Sequence, residues 1–431
     1  MKKLNILIVA HEFSPSQGSE CAVGWNLVNN LCKYHNITVL FAETNQFNTS
    51  EYEGDIYQHT LFHGEINGLT LIPVPQPIIT KLYVKINTLI KSDNSAIGFA
   101  PLYYAGYKHW QKEVFNIVSR LIKSEKFDLV HQLTSISFRE PGYLWKLGIP
   151  YVWGPCSGLV RMPSSFYRSL KISEISFELI RRLVNFIQSK FSLRIRKAIQ
   201  KASMIYSVTI DDYNYFTSKA KCDVKIMLDV GGYGNSFNKS SIKSNNKALK
   251  ILWVGRLVYT KALDILLNSL SLEPKLKNKV ELSIIGDGPL RKQYEKLANK
   301  LNLNNIIWLG DVAHENVFEF MQNSDVLIHT SIKEATSAVI LESLTYGLPV
   351  ICHDAFGMAT AINEKCGIKI PLSSPQTSIN GFSDAIQKLV NNRSLLSALS
   401  NGAKIRSQEL SWENMAKRIS CDYVDIANTL N

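Results

Sequence analysis

The chain has 431 residues, a formal net charge of +12, and 45% hydrophobic and 19% charged residues. This length allows two or three domains, and the composition is that of a soluble globular enzyme. No window approaches the ~18 uninterrupted apolar residues of a transmembrane helix. The seven Cys residues are scattered and form no C-x-x-C pair. They therefore predict reduced core thiols in a cytoplasmic protein and argue against a disulfide or zinc framework.

Short apolar runs alternate with helical patterns through the first half of the chain. The first run predicts a buried strand and not a signal peptide, because His11 and Glu12 follow it at once and no small-residue cleavage site appears. Strands that alternate with helices indicate a parallel sheet with helices on both faces. The predicted strands are Leu4–Ala10, Ile37–Phe41, Leu69–Val74, Leu129–Gln132, Tyr151–Trp153, Met204–Val208 and Val224–Leu228.

A second alternating series follows a polar stretch rich in Gly, Asn and Ser, which predicts a linker at 230–247. The sequence therefore predicts an α/β fold of two doubly wound parallel-sheet domains, 1–229 and 248–408, that face each other across a cleft. The predicted strands of the second domain are Lys250–Val254, Glu281–Ile285, Ile306–Leu309, Val326–Thr330, Val350–His353 and Gly367–Ile370.

A basic amphipathic region runs from Arg161 to Lys201 and contains ten Lys and Arg residues but only two acidic residues, both Glu. Three interpretations stay open: a solvated basic face over an ordinary core, attachment to an anionic membrane surface, or nucleic-acid binding. The last is the weakest because no nucleic-acid-binding motif accompanies the charge. We therefore expect no nucleic-acid partner.

Two short motifs that follow predicted strands indicate a phosphate site in the second half. Gly255, Arg256 and Lys261 lie in a loop between a strand and a helix. A diphosphate needs fixed cations and free backbone N–H donors, and such a loop supplies both, although two surface cations are the plain alternative. Gly286-Asp287-Gly288-Pro289 follows the next strand as a tight turn. It is not a G-x-G-x-x-G sequence, which disfavours a nicotinamide dinucleotide.

Glu334 and Glu342 lie on either side of a predicted helix start, with seven residues between them. Thr336 and Ser337 are both acceptable N-caps, which puts Ala338 in the first turn and Glu342 about one and a half turns inside the helix. The helix N-terminus favours phosphate, and carboxylates beside it suit a ligand with hydroxyl groups at both ends. We expect Glu342 to accept from a ribose diol and Glu334 from a transferred sugar. Purely structural roles are the alternative.

Metal chemistry is not expected, because the chain has no D-x-D and none of its nine His residues falls in an H-E-x-x-H spacing. Arg256, Lys261 and the helix N-terminus would then have to meet the charge of a diphosphate leaving group. His131, beside the predicted strand end, either contacts the transferred sugar or is a satisfied core histidine. The sequence does not decide between the two.

Together these residues resemble the family 4 retaining glycosyltransferases, which have the GT-B fold of two Rossmann-like domains. The resemblance begins between His11 and Glu20 and passes through Trp153-Gly154-Pro155. It then runs from Gly255 to Pro349 and ends at Ser411-Trp412-Glu413. The Glu-x7-Glu element with the preceding Gly-Arg…Lys is its most specific part.

The resemblance implies a role for each matching residue. Arg256 and Lys261 would hold the donor diphosphate, Glu342 the nucleotide ribose and Glu334 the region of the donor sugar. Gly18 would approach the diphosphate from the acceptor domain. Further substrate-binding positions are Gly255, Gly286, Ser337 and Ala338. The candidate catalytic residues are Arg256, Lys261, Glu334 and His131.

The resemblance also implies that the helix at 409–431 returns to the first domain and that sugar transfer retains anomeric configuration without a metal or another cofactor. Two departures stand out. Lys261-Ala262 replaces the frequent Lys-Gly, and Ala335-Thr336-Ser337 stands where a Gly often follows the first Glu.

We therefore expect a cytoplasmic glycosyltransferase, peripheral on the inner face of the plasma membrane. Its partners would be a nucleotide-sugar donor and a glycan or lipid-linked acceptor of bacterial surface polysaccharide biosynthesis. A GT-B-fold nucleotide-sugar 2-epimerase and a catalytically degenerate sugar-nucleotide-binding subunit are the alternatives. The sequence encodes neither the donor nor the acceptor in a readable form.

Overall fold

A computed structural model describes residues 3–45, 51–90, 98–234 and 248–429. The predicted linker 230–247 lies outside the described residues from 235 onwards. The elements in chain order are β1 (Asn5–Ala10), α1 (Gly18–Leu31), β2 (Asn36–Ala42), α2 (Tyr52–His63), β3 (Leu69–Val74), α3 (Ile78–Ile90), α4 (Ala100–Leu121), β4 (Leu129–Thr134), β5 (Tyr151–Cys156), α5 (Ile172–Phe191), α6 (Leu193–Lys201), β6 (Met204–Ser207), α7 (Ile210–Thr217), β7 (Asp223–Ile226), β8 (Leu249–Val254), α8 (Leu263–Leu272), α9 (Pro274–Lys277), β9 (Val280–Ile285), α10 (Arg291–Lys300), β10 (Ile306–Gly310), α11 (His314–Asn323), β11 (Val326–His329), α12 (Ala338–Thr345), β12 (Val350–His353), α13 (Phe356–Ala361), β13 (Gly367–Ile370), α14 (Pro375–Asn391), α15 (Arg393–Glu409) and α16 (Trp412–Asn428).

The chain divides into two compact units. The first unit comprises Met1–Leu159, Val184–Asp229 and Trp412–Asn431. The second comprises Val160–Leu183 and Val230–Ser411. A membrane-spanning helix is not found among the helices of the described ranges.

The first unit is built on a parallel sheet whose described strands are ordered β3-β2-β1-β4-β5-β6-β7. β1 pairs with β2 on one side and with β4 on the other. Its residues from Ile6 to Ala10 are fully buried, as expected for a parallel strand covered by helices on both faces. The strand order reverses between β1 and β4, and ligands of such sheets bind beyond the strand ends at this switch point.

The second unit repeats this plan, with its described strands ordered β10-β9-β8-β11-β12-β13. β8 pairs with β9 and with β11, so the switch point lies between β8 and β11. Each predicted strand is present, and its bounds differ from the prediction by three residues at most. The predicted fold class, α/β with two doubly wound parallel sheets, is confirmed.

The first unit is not continuous in sequence, because residues 160–183 group with the second unit. This differs from the predicted first domain, which runs unbroken to 229. The grouping has a packing reason, since Met162 and Phe166 are buried in the hydrophobic core of the second unit. The amphipathic pattern of this region predicts a helix but does not show which of the two sheets the helix packs against.

The last helix, α16, belongs to the first unit. Two of its side chains bind buried histidines there. The Tyr423 hydroxyl lies 2.5 Å from His131 Nδ1, and Ser420 Oγ lies 2.8 Å from His35 Nε2. These buried polar contacts hold α16 against the first unit.

Candidate functional site

The loops that follow β8 and β11 are bonded to each other at the switch point of the second unit. The backbone N–H of Ile332 donates to the carbonyl oxygen of Thr260 at 2.9 Å. Thr330 Oγ1 donates to the carbonyl oxygen of Lys261 at 2.7 Å and accepts from Trp253 Nε1 at 3.1 Å. The carbonyl oxygen of Lys261 is therefore held by the buried Thr330 hydroxyl, which Trp253 orients in turn.

Lys261 and Glu334, both predicted site residues, form an ion pair in which the ammonium donates to Glu334 Oε2. Ser331 Oγ also donates to this oxygen at 3.3 Å, and His329 Nε2 lies 3.7 Å from it. Burial alone would raise the pKa of Glu334, but the interactions with His329 and Lys261 outweigh it and lower the pKa to about 2. Glu334 is therefore ionised at neutral pH and orients the Lys261 ammonium through their ion pair.

His329 is a site residue that the sequence analysis missed. It is buried at the end of β11, and burial lowers its pKa. The only available signal was a polar residue closing an otherwise apolar strand. Such a residue is as often structural as functional.

Ala262, next to Lys261, adopts a left-handed backbone conformation with φ of 47°. It joins a 3-10 turn at Tyr259–Lys261 to α8. This conformation favours glycine, because an L side chain meets its own backbone there. The structure thus gives a physical reason for the Gly that resembling proteins often have at this position.

The glycine loops after β8 and β9 lie in direct contact. Gly286 has φ of 120°, and a side chain on it would collide with the carbonyl oxygen of Gly255. The backbone N–H of Leu257 donates to the carbonyl oxygen of Asp287 at 2.9 Å. Arg256 lies in this same loop with an exposed side chain. The predicted residues Gly255, Arg256 and Gly286 are therefore brought together.

The helix α12 begins at Ala338 with Ser337, one of the two predicted N-caps, as its N-cap. The Ser337 side chain makes no capping hydrogen bond. Within the described residues, the buried Thr336 hydroxyl has no hydrogen-bond partner either. The first turn of this helix therefore offers backbone N–H groups to a ligand.

Glu342 lies in the second turn of α12, where its Oε1 is 3.0 Å from His314 Nε2. The hydrogen bond to Glu342 raises the pKa of His314, which is itself exposed. Phe318 and Tyr346 stack beside this pair with ring centroids 5.3 Å apart. Glu342 keeps partial exposure, so hydroxyl groups of a ligand can reach it.

His131, predicted as a candidate catalytic residue, is fully buried within β4 of the first unit. Its Nδ1 lies 2.5 Å from the Tyr423 hydroxyl and its Nε2 lies 2.6 Å from the carbonyl oxygen of Gly154. Burial lowers its pKa to about 4. Of the two interpretations that the sequence left open, this geometry favours the satisfied core histidine.

Gly18 starts α1, beyond the end of β1 at the switch point of the first unit. It has φ of 55°, and a Cβ added to it would meet no atom within 4 Å. Asp55 holds the preceding loop by accepting from Ser14 Oγ at 2.6 Å and from Gln17 Nε2 at 2.6 Å. The N-terminus of α1 is therefore accessible and its loop is fixed, although the role of Gly18 stays a prediction.

Two acidic residues of the first unit that the sequence analysis did not single out, Glu12 and Glu20, lie close enough for their charges to interact. Burial and the charges of Glu12 and Asp229 raise the pKa of Glu20 to about 8. Glu12 is itself buried beside His11, with Nδ1 of His11 3.0 Å from its Oε1.

No group of three or more His, Cys, Asp or Glu side chains in the described ranges is placed to hold a metal ion.

Comparison with known proteins places these features in a family context. Residues 235–406 match the model of the family Glycosyl transferases group 1. An uncharacterized glycosyltransferase of Methanocaldococcus jannaschii is 27% identical over 184 residues, which are 42% of this chain and 45% of that protein. The GPI3 subunit of phosphatidylinositol N-acetylglucosaminyltransferase from Saccharomyces cerevisiae is 24% identical over 43% of this chain and 41% of its own length. The chain thus spans less than half the length of these curated relatives.

The similarity in fold extends over nearly the whole chain. The Anabaena protein HepE, solved in complex with UDP, matches 98% of this chain and 100% of its own, with a TM-score of 0.62 and 16% identity. At this identity the likeness establishes the fold. The chain therefore has the two-unit fold of the GT-B glycosyltransferases, and residues 235–406, within its second unit, match the glycosyl transferases group 1 model.

Proposed function

We propose that this chain transfers a sugar, with retention of anomeric configuration, from a nucleoside-diphosphate sugar to a glycan or lipid-linked acceptor of bacterial surface polysaccharide biosynthesis. One observation carries the proposal. Lys261, Glu334 and the N-terminus of α12 lie on loops that follow β8 and β11, the strands that flank the switch point of the second unit. The UDP in the HepE structure supports a nucleoside diphosphate as the leaving group. The name of the yeast relative supports a lipid-linked acceptor.

The charges at this site suit the chemistry of transfer. As the bond between the sugar anomeric carbon and the diphosphate oxygen breaks, its electron pair moves to that oxygen. Lys261, Arg256 and the backbone N–H groups of α12 would stabilise the new charge. The acceptor hydroxyl oxygen bonds to the anomeric carbon, and its proton passes to the departing diphosphate. Glu334 and Glu342 would accept hydrogen bonds from hydroxyls of the sugar and the ribose.

The test is nucleoside-diphosphate release from UDP-, GDP-, dTDP- and ADP-sugars, with and without membrane lipid extract, in the presence of EDTA. We expect release from one donor, stimulation by lipid and no effect of EDTA. Conversion of a donor into its epimer without release would identify an epimerase. Binding of a donor without turnover under any of these conditions would identify a binding subunit.

An anionic membrane surface is the partner that we propose for the basic region. The structure argues against a basic face over an ordinary core, because many apolar side chains of α5 are exposed. Exposed cations accompany them on α5 and α6, as on helices that lie in a membrane interface. The exposed apolar side chains include Ile172, Phe177, Leu179, Ile180, Leu183 and Phe186, and the exposed cations include Lys190, Arg196, Lys197 and Lys201.

Co-sedimentation with phosphatidylcholine vesicles, with and without phosphatidylglycerol, tests this partner. Ile180→Asp should weaken binding to the anionic vesicles at least about fivefold, since it places a charge in the apolar face. Ile405→Asp on α15 is the matched control, because the two Ile side chains are 62% and 61% exposed. Equal binding by the two variants would contradict the proposed surface.

A further inference from the structure

We propose that Glu178 is a positioning residue that holds two loops of the candidate donor site, 256–262 and 331–336, in their active arrangement. The inference rests on the proposed function, because it gives those loops the donor diphosphate and sugar as ligands. Glu178 lies on α5, within the part of that helix that belongs to the second unit. Its side chain is fully buried, unlike its apolar neighbours on the same helix.

One carboxylate binds both loops directly. The Tyr259 hydroxyl donates to Glu178 Oε1 at 3.0 Å, and the Lys333 ammonium forms an ion pair with the same oxygen. Arg181, one turn along α5, lies 3.3 Å from Oε2. Charge-assisted hydrogen bonds of this kind are the stronger ones in proteins, and a buried carboxylate with several of them has a fixed geometry.

Both partners of Glu178 are close in sequence to the charged pair of the candidate site. Tyr259 precedes Lys261 by two residues in the 3-10 turn, and Lys333 immediately precedes Glu334. Lys261 and Glu334 lie in different loops, and a displacement of Glu178 would therefore move both residues. A small misplacement of charged groups at a reacting centre lowers turnover steeply, whereas overall folding need not change.

The electrostatics of the cluster require the Glu178 charge. Burial would raise the pKa of Glu178, but the Lys333 ammonium and Arg181 outweigh it and lower the pKa. Burial and the Arg181 charge lower the pKa of Lys333 to about 8, even with Glu178 present. Without the carboxylate, Lys333 would lose its proton close to neutral pH or turn towards the adjacent Glu334. Either event would disturb the Lys261–Glu334 ion pair.

Hydrogen–deuterium exchange of the full chain tests the tether without any donor. Glu178→Gln should speed exchange at least about tenfold in both 256–262 and 331–336, and less than about twofold at Arg393–Glu409, the helix α15 of the same unit. Glu174→Gln, the same chemical change one turn earlier on α5, should leave all three segments within about twofold of wild type. Faster exchange in one loop only, or equally throughout the second unit, would overturn the proposal.

Turnover is measured with the sugar nucleotide that the wild type uses. It distinguishes a positioning role of Glu178 from a loss of protein stability in the variant. Glu178→Gln should lower kcat at least about tenfold with less than about threefold change in KM for the donor. The double variant Glu178→Gln/Lys333→Met removes the buried charge pair together, so its melting temperature should recover while kcat stays low. Recovery of kcat would overturn the proposal. A wild type without turnover would count against the proposed function alone, because the exchange result stands independently.

Discussion

Replacing Lys261 with Met removes one ammonium from the candidate site and keeps most of the aliphatic volume of the side chain. This ammonium pairs with Glu334 and, by our account, meets the charge that grows on the departing diphosphate. A hydrogen bond to a charged group contributes about 1.5–3 kcal/mol. Each 1.36 kcal/mol is a factor of ten in rate, so turnover should fall about 10- to 150-fold. The loss should affect kcat more than KM, because the diphosphate charge is largest in the transition state.

The assay is the initial rate of nucleoside-diphosphate release over a range of donor concentrations. Lys292→Met is the matched control, because Lys292 is exposed on α10 of the same unit. The control should keep wild-type kcat and KM. A Lys261→Met protein with kcat within twofold of wild type would refute the assignment of the leaving-group charge to this residue.

Three further predictions concern the same unit. Glu342→Ala should weaken nucleoside-diphosphate binding about tenfold or more in calorimetric titration, since it removes a charged acceptor for the ribose diol; an unchanged Kd would leave Glu342 with its His314 contact alone. Ala262→Gly should leave the melting temperature unchanged or raised, because relief of about 1–2 kcal/mol of left-handed strain offsets about 0.4–1 kcal/mol of unfolded-state entropy. Ala385→Gly inside α14 should instead cost at least about 1 kcal/mol, and an equal loss in both variants would speak against strain at position 262. Glu334→Gln should lower the free energy of unfolding at pH 7 by up to about 3 kcal/mol, which corresponds to the fall of the Glu334 pKa from 4.5 to about 2. Because the folded-state pKa is depressed, this contribution is complete above pH 4.5 and is lost as the pH falls towards 2, so denaturant unfolding of the two proteins should converge over that range.

The fold was readable from the sequence because its signals are local. Parallel strands covered on both faces are short apolar runs, and glycine or polar clusters mark their ends. Val350–His353 and Gly367–Ile370 were predicted with the bounds that the structure shows. Of the two N-caps predicted for α12, Thr336 and Ser337, the structure uses Ser337, and N-cap preference is likewise a local property.

The contacts that organise the candidate site were not readable, because they join residues far apart in sequence. Glu178 binds a lysine 155 residues later, and no pattern within α5 distinguishes it from an exposed Glu. The buried state of His131 depends on Tyr423 in the last helix, 292 residues away. The grouping of residues 160–183 with the second unit likewise follows from where Phe166 packs. Sequence reasoning therefore located the loops and left their partners undetermined.

Calorimetric titration of UDP, GDP, dTDP and ADP into three proteins tests the central claim most directly. The proteins are the wild type, Arg256→Ala/Lys261→Ala, and the control Lys292→Ala/Lys296→Ala, whose two exposed cations lie on α10. The account predicts that one nucleoside diphosphate binds the wild type and the control with equal Kd, and that the first double variant binds it at least about 100-fold more weakly. Equal affinity in all three proteins would contradict a diphosphate site at the switch point between β8 and β11.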